Sequence, residues 1–119
     1  MNTPPRLNVE VVAQLVRDVG YEAALELCRM FADDARRRVK HISAMNVSGD
    51  IGRMVEDAHS LKSLAYTYGT ESLGDRSSLL ESTCKSGDAP SARQHAAAIE
   101  KHISPSLQLL FDYLEGVQA

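Results

Sequence analysis

The stretch EDAHSLKSLAYTYG, Glu56–Gly69, decides how this chain reads. At about 100° per residue, Met54, Ala58, Leu61, Ala65 and Tyr68 fall within a sector of roughly 80°. That sector is one apolar helix face, on a helix expected to run from Ile51 to about Tyr68 and to stop at Gly69. His59 lies roughly 130° from the centre of the face, with Glu56, Ser63 and Thr67 further round. Val55, Lys62 and Tyr66 lie between His59 and the core edge. The imidazole is therefore expected to project from the wall of a helical assembly, not into its core. A surface histidine without a role remains the plain alternative.

Helical periodicity continues on both sides of this stretch. NVEVVAQLVRDVG (Asn8–Gly20) reads as a short helix with Val12, Leu15 and Val19 on one side. From Tyr21 to about Met45, the residues Tyr21, Leu25, Cys28, Ala32, Ala35, Val39 and Ile42 alternate spacings of four and three, a seam of the kind that packs in antiparallel bundles. NVSGD breaks that helix, and Asp50 is expected to cap the next one. Thr70 is expected to cap a fourth helix carrying Leu73, Leu80 and Cys84 inward, with Gly74 in its interior at a cost of about 1 kcal/mol relative to Ala. Asp88 and Pro90 suit the start of a last helix, from Ala89 to about Leu114. Its stripe is Ala92, Ala96, Ile99, Ile103, Leu110 and Val117, and Pro105 is expected to kink or divide it. Strand signals are absent. The expected fold is all-α, an antiparallel up-and-down four-helix bundle with an extra short N-terminal helix, forming a single domain over residues 1–119 with a flexible start at about 1–7.

Composition agrees with packed helices and narrows the function. The chain of 119 residues is 44% hydrophobic, has no Trp and only 5% aromatic residues, and carries a net charge of −3. Nothing in that charge points to a nucleic-acid or membrane surface. Cys28 and Cys84 match no metal or redox spacing, and no apolar run is long enough to span a membrane. A soluble, cytoplasmic protein is expected.

The neighbours of His59 sharpen its reading. Ser63, one turn on, leaves a clearing beside the ring, and Lys62 is close enough to share an anion with it. A neutral imidazole near pH 7 is a nucleophile, and a cation beside it suits a phosphoryl group whose charge is spread over three oxygens.

AHSLKSLAYTYG resembles the signature of histidine-containing phosphotransfer (HPt) domains, approximately A-H-x-L-K-G with a later Gly. Ala58, His59, Leu61, Lys62 and Gly69 match in register, and Leu80–Glu81 stands where the family has a Leu-Glu or Leu-Gln pair. Ser63 replaces the usual Gly, and Leu64 and Tyr66 are bulkier than is common there. The resemblance implies that His59 accepts a phosphoryl group on Nε2, that Glu81 accepts a hydrogen bond from Nδ1–H, and that Lys62 neutralises phosphate oxygens, with Ser63 adding a hydrogen bond. It implies receiver domains of response regulators or of a hybrid sensor kinase as partners, which would supply Mg²⁺ and an acidic pocket. The chain itself would be a monomeric phosphoryl carrier without a cofactor.

No Gly-rich phosphate loop or Asp cluster for Mg²⁺ is present, so ATP binding and autokinase activity are not expected. The phospho-acceptor helices of a sensor kinase fit less well, because Ser60 follows His59 where an acidic residue is usual and no Pro shares the helix. A docking module of the same fold that transfers no phosphate remains the alternative. Val11, Val12, Leu15 and Val16 either contact a partner or close the end of the bundle. Arg36, Arg37 and Arg38 read as a solvated face, His41 has no evident companion, and His95 with His102 lacks a third metal ligand.

Overall fold

A computed structural model describes residues 4–118, and all its regular structure is helical. The helices are α1 (Val9–Val19), α2 (Tyr21–Ser48), α3 (Met54–Thr67), α4 (Glu71–Ser86) and α5 (Ala89–Gln118), with a 3-10 turn at Ile51–Arg53 leading into α3. Helix α2 packs against α3 and α5, and α4 packs against the same two, while α1 rests on α2. The result is a helical bundle around one apolar core.

The core follows the expected faces. Met54, Ala58, Leu61 and Ala65 of α3 are buried, together with Cys28, Ala32, Ala35, Val39 and Ile42 of α2. Leu73 and Leu80 of α4 and Ala92, Ala96, Ile99 and Leu110 of α5 complete it. Many of these are alanines, which lets the helices approach closely. Tyr68 stacks on Phe31 with ring centroids 4.7 Å apart, joining the end of α3 to α2. Both cysteines are free and buried, and burial pushes the Cys28 thiol up to about 11.

Gly69 explains where α3 stops and how α1 is placed. Its φ of 80° is left-handed, and a Cβ there would lie 2.8 Å from the Asn8 carbonyl oxygen and 3.0 Å from Val12 Cγ2. The Asn8 N–H donates to the Gly69 carbonyl at 2.7 Å, while the Asn8 side chain caps α1 by accepting from the Val11 N–H. Val12 is consequently buried, Leu15 and Val16 pack against the core, and Val11 is half-buried.

Several details differ from expectation. Asp50 and Thr70 occupy cap positions but make no capping bond. Asp50 instead accepts from Arg53, and the buried Thr70 hydroxyl donates back to the Ala65 carbonyl, tying the α3–α4 corner. Asp88 does cap α5, accepting from the Ser91 N–H at 3.2 Å. Val19 and Val117, expected on buried stripes, are exposed; each lies within the last two residues of its helix.

Helix α5 is not divided at Pro105. Pro105 sits on the exposed side, so the carbonyl deprived of its helical donor can turn to water. Residues 1–3 of the expected flexible start lie outside the described residues. Within the rest of it, the Arg6 N–H donates to Ser72 Oγ and Leu7 packs against the core.

Candidate functional site

His59 and Glu81 are brought together by the packing of α3 on α4. The α3 core residues Ala58 and Leu61 flank His59 in sequence and turn its ring outward. On α4, Leu80 is buried and Glu81 follows it at the edge of the core, facing α3. The His59 side chain is 60% exposed, whereas that of Glu81 is only 6% exposed. A buried carboxylate needs partners, and this one has three.

Oε2 of Glu81 lies 2.8 Å from Nδ1 of His59 and 3.0 Å from Nζ of Lys85, and Oε1 lies 2.7 Å from Nζ of Lys62. The hydrogen bond from Lys62 is the largest influence holding the carboxyl at about 2, well below its ordinary 4.5; burial opposes it, and Lys85 and His59 add to it. Glu81 is thus ionised at any physiological pH and can only accept. It follows that Nδ1 of His59 carries a proton. In the neutral ring Nε2 is then left with its lone pair on the exposed side chain.

The four expected site residues fall unequally around this centre. His59 and Glu81 are joined directly. Lys62 is beside them, engaged with Glu81. Ser63 is exposed one turn along, and its carbonyl accepts from the Thr67 hydroxyl. Lys85 is the residue that sequence reasoning missed; its position one turn after Glu81 was the available signal. A shallow groove of about 550 Å³ runs beside the cluster, lined by Lys62, Glu81 and Lys85 and by the hydroxyls of Ser78, Ser82 and Ser86.

Tyr66 accounts for Gly74. A Cβ on Gly74 would come within 2.6 Å of the Tyr66 ring, which lies across α4 at that point, and the phenol donates to Asp75 Oδ1 at 2.5 Å. That hydrogen bond is the main reason the phenol is pushed up to about 12. Asp75 also accepts from Arg6, so the bulk of Tyr66 is partly taken up in holding α3, α4 and the start of the chain together.

The features set aside from the sequence are also placed. Arg38 is not merely solvated: it bridges Asp34 of its own helix, at 3.0 Å, and Asp57 of α3, at 3.1 Å. Arg37 also pairs with Asp34. His41 has a companion after all, with Nδ1 3.7 Å from Asp57, an ion-pair distance but not a hydrogen bond. His95 and His102 line a separate groove between α4 and α5, and among the described residues no three His, Cys, Asp or Glu side chains gather as a metal site. No described helix is long and apolar enough to cross a membrane.

A helical bundle with an exposed histidine hydrogen-bonded to a buried carboxylate defines a class of protein. The family match names the class: residues 26–116 match the family described as the Hpt domain, and the chain belongs to it. Its fold is similar to that of the histidine-containing phosphotransfer protein B (HptB) from Pseudomonas aeruginosa PAO1, with a TM-score of 0.85 at 21% identity, covering 95% of this chain and 97% of that one. A rice protein assigned as a histidine-containing phosphotransfer protein is similar with a TM-score of 0.71 at 18% identity, covering 92% of this chain and 83% of that one. No curated protein matches significantly by sequence.

Proposed function

We propose that this protein is a phosphoryl carrier of a two-component phosphorelay, taking a phosphoryl group from a receiver-domain aspartate onto His59 and passing it to another receiver. The observation that carries the reading is the 2.8 Å contact between Nδ1 of an exposed imidazole and a buried, ionised Glu81. In this reading the Nε2 lone pair attacks phosphorus, the bond from phosphorus to the aspartyl oxygen breaks, and its electron pair leaves with the aspartate carboxylate. The proton stays on Nδ1. As the N–P bond forms the ring takes on positive charge, which the Glu81 carboxylate offsets; the same contacts serve the reverse transfer.

Lys62 is poised to release Glu81 and pair with the phosphoryl oxygens, and the exposed Ser63 leaves room for a receiver to approach. The receiver contributes the acidic pocket and Mg²⁺. The chain acts as a monomeric, single-domain carrier in the cytoplasm and not as an ATP-binding kinase. Its four longer helices are read as an antiparallel up-and-down bundle with α1 as the additional short helix. The family membership and the similar folds support this reading.

The test is incubation of the purified protein with a panel of phosphorylated receiver domains. Acid-labile, alkali-stable label on His59, absent from His59→Gln, is the expected result. A folded protein that binds a receiver yet gains no label would replace the relay by an adaptor that docks without transfer.

A further inference from the structure

The carboxylate that fixes the tautomer of His59 also creates a difficulty. A full negative charge hydrogen-bonded to an imidazole favours the imidazolium, and the imidazolium has no lone pair on Nε2. A buried glutamate beside the acceptor therefore orients the ring and, unopposed, draws it toward the form that cannot attack. The charges facing the ring are Glu81 and Lys85 from α4 and, on its own helix, Lys62 and the exposed Glu56 one turn earlier.

We infer that Lys85 is a positioning residue for His59: by sharing Oε2 of Glu81 with the imidazole Nδ1–H, it keeps the ring neutral with Nε2 free. The geometry separates the two lysines. Lys62 lies on Oε1, at 2.7 Å, while Lys85 lies at 3.0 Å from the oxygen that His59 itself uses. The ammonium draws electron density from that oxygen and makes it a weaker acceptor toward the ring proton. Two ammonium groups against one carboxylate also leave the immediate surroundings of Glu81 net positive, suited to an arriving phosphoryl group. The Lys85 side chain is 62% exposed, so it acts as an electrostatic partner and not as part of the packing.

Its bearing on transfer rests on the proposed relay function, but its effect on the ring does not, which makes the two separable. The test is ¹⁵N NMR of His59 in the unphosphorylated protein at fixed pH near 7. Lys85→Ala is expected to raise the imidazolium share about two- to threefold, the scale of one water-screened charge, and Lys85→Arg is expected to keep the parent value. In a Glu81→Gln background the effect of Lys85→Ala should shrink to less than half, since no carboxylate remains to be offset. An unchanged imidazolium share in Lys85→Ala, or an equal change in both backgrounds, would overturn the inference. Where receivers do transfer phosphate, the rate profile of Lys85→Ala should also shift toward higher pH, whereas a purely structural lysine would lower the rate equally at all pH values.

Discussion

Two carboxylates border α3, and each draws a histidine and basic side chains toward it. Asp57 faces α2, with Arg38 at 3.1 Å and His41 at 3.7 Å; Glu81 reaches in from α4, with Lys62, Lys85 and His59 all within 3.0 Å. Exposure does not tell the histidines apart, for their side chains are 56% and 60% open. Two other properties do. Only His59 is close enough to its carboxylate for a hydrogen bond that selects one tautomer. Around Asp57 the guanidinium groups of Arg37 and Arg38 face two carboxylates, Asp34 and Asp57, so charge is balanced; around Glu81 positive charge is in excess. The first cluster clasps two helices, and the second holds an exposed imidazole by its Nδ1, which the proposed relay would use as the phosphoryl acceptor.

Substitutions at five positions can break or sharpen that contrast, beginning with the largest effect. His59→Gln should abolish label from phosphorylated receivers, while His41→Gln should leave it intact; equal loss in both would erase the distinction. Glu81→Ala should slow transfer about 10- to 100-fold, the range for removing a group that orients a histidine, as followed by single-turnover transfer. Glu81 also has a pH signature. Because its folded-state value is depressed, the stability it contributes is fully present above about 4.5 and is lost as pH falls through about 2. The denaturation midpoints of parent and Glu81→Gln should therefore differ by a constant amount at neutral pH and converge on acidification.

Arg38→Ala should cost about 1–2 kcal/mol in urea unfolding by uncoupling α2 from α3, with the rate of transfer unchanged. A large change in transfer would mean that the Asp57 cluster serves the site as well. Gly74→Ala should have the smallest net effect, within about 0.5 kcal/mol, since helix propensity gained is offset by displacing Tyr66 from Asp75. Its readout is the phenol, whose titration should fall from about 12 toward 10. With the raised phenol of the parent, the stability from this contact is present below 10 and is lost as pH rises through about 12.

The apolar face of α3, the outward turn of His59 and the seam of α2 were legible because helical geometry repeats every 3.6 residues and depends on nothing outside the helix. Glu81 was found through a family pattern, not through periodicity, and the packing of α3 on α4 gives it a physical meaning at 2.8 Å. Val19 and Val117 show the limit of the wheel: it assigns a face but does not say whether the residues at a helix end are covered.

What the sequence by itself determined is thus the set of helices, the faces they bury and the residue they turn outward. Only the tertiary structure decided that Thr70 would bond backward instead of capping, that Tyr66 would rest on Gly74, and that Arg38 would reach Asp57. It alone brought Lys85 and His59 onto one oxygen of Glu81. The physical reason is range: periodicity is written in a few consecutive residues, whereas a shared hydrogen bond depends on how closely two separate helices approach, which the whole core sets.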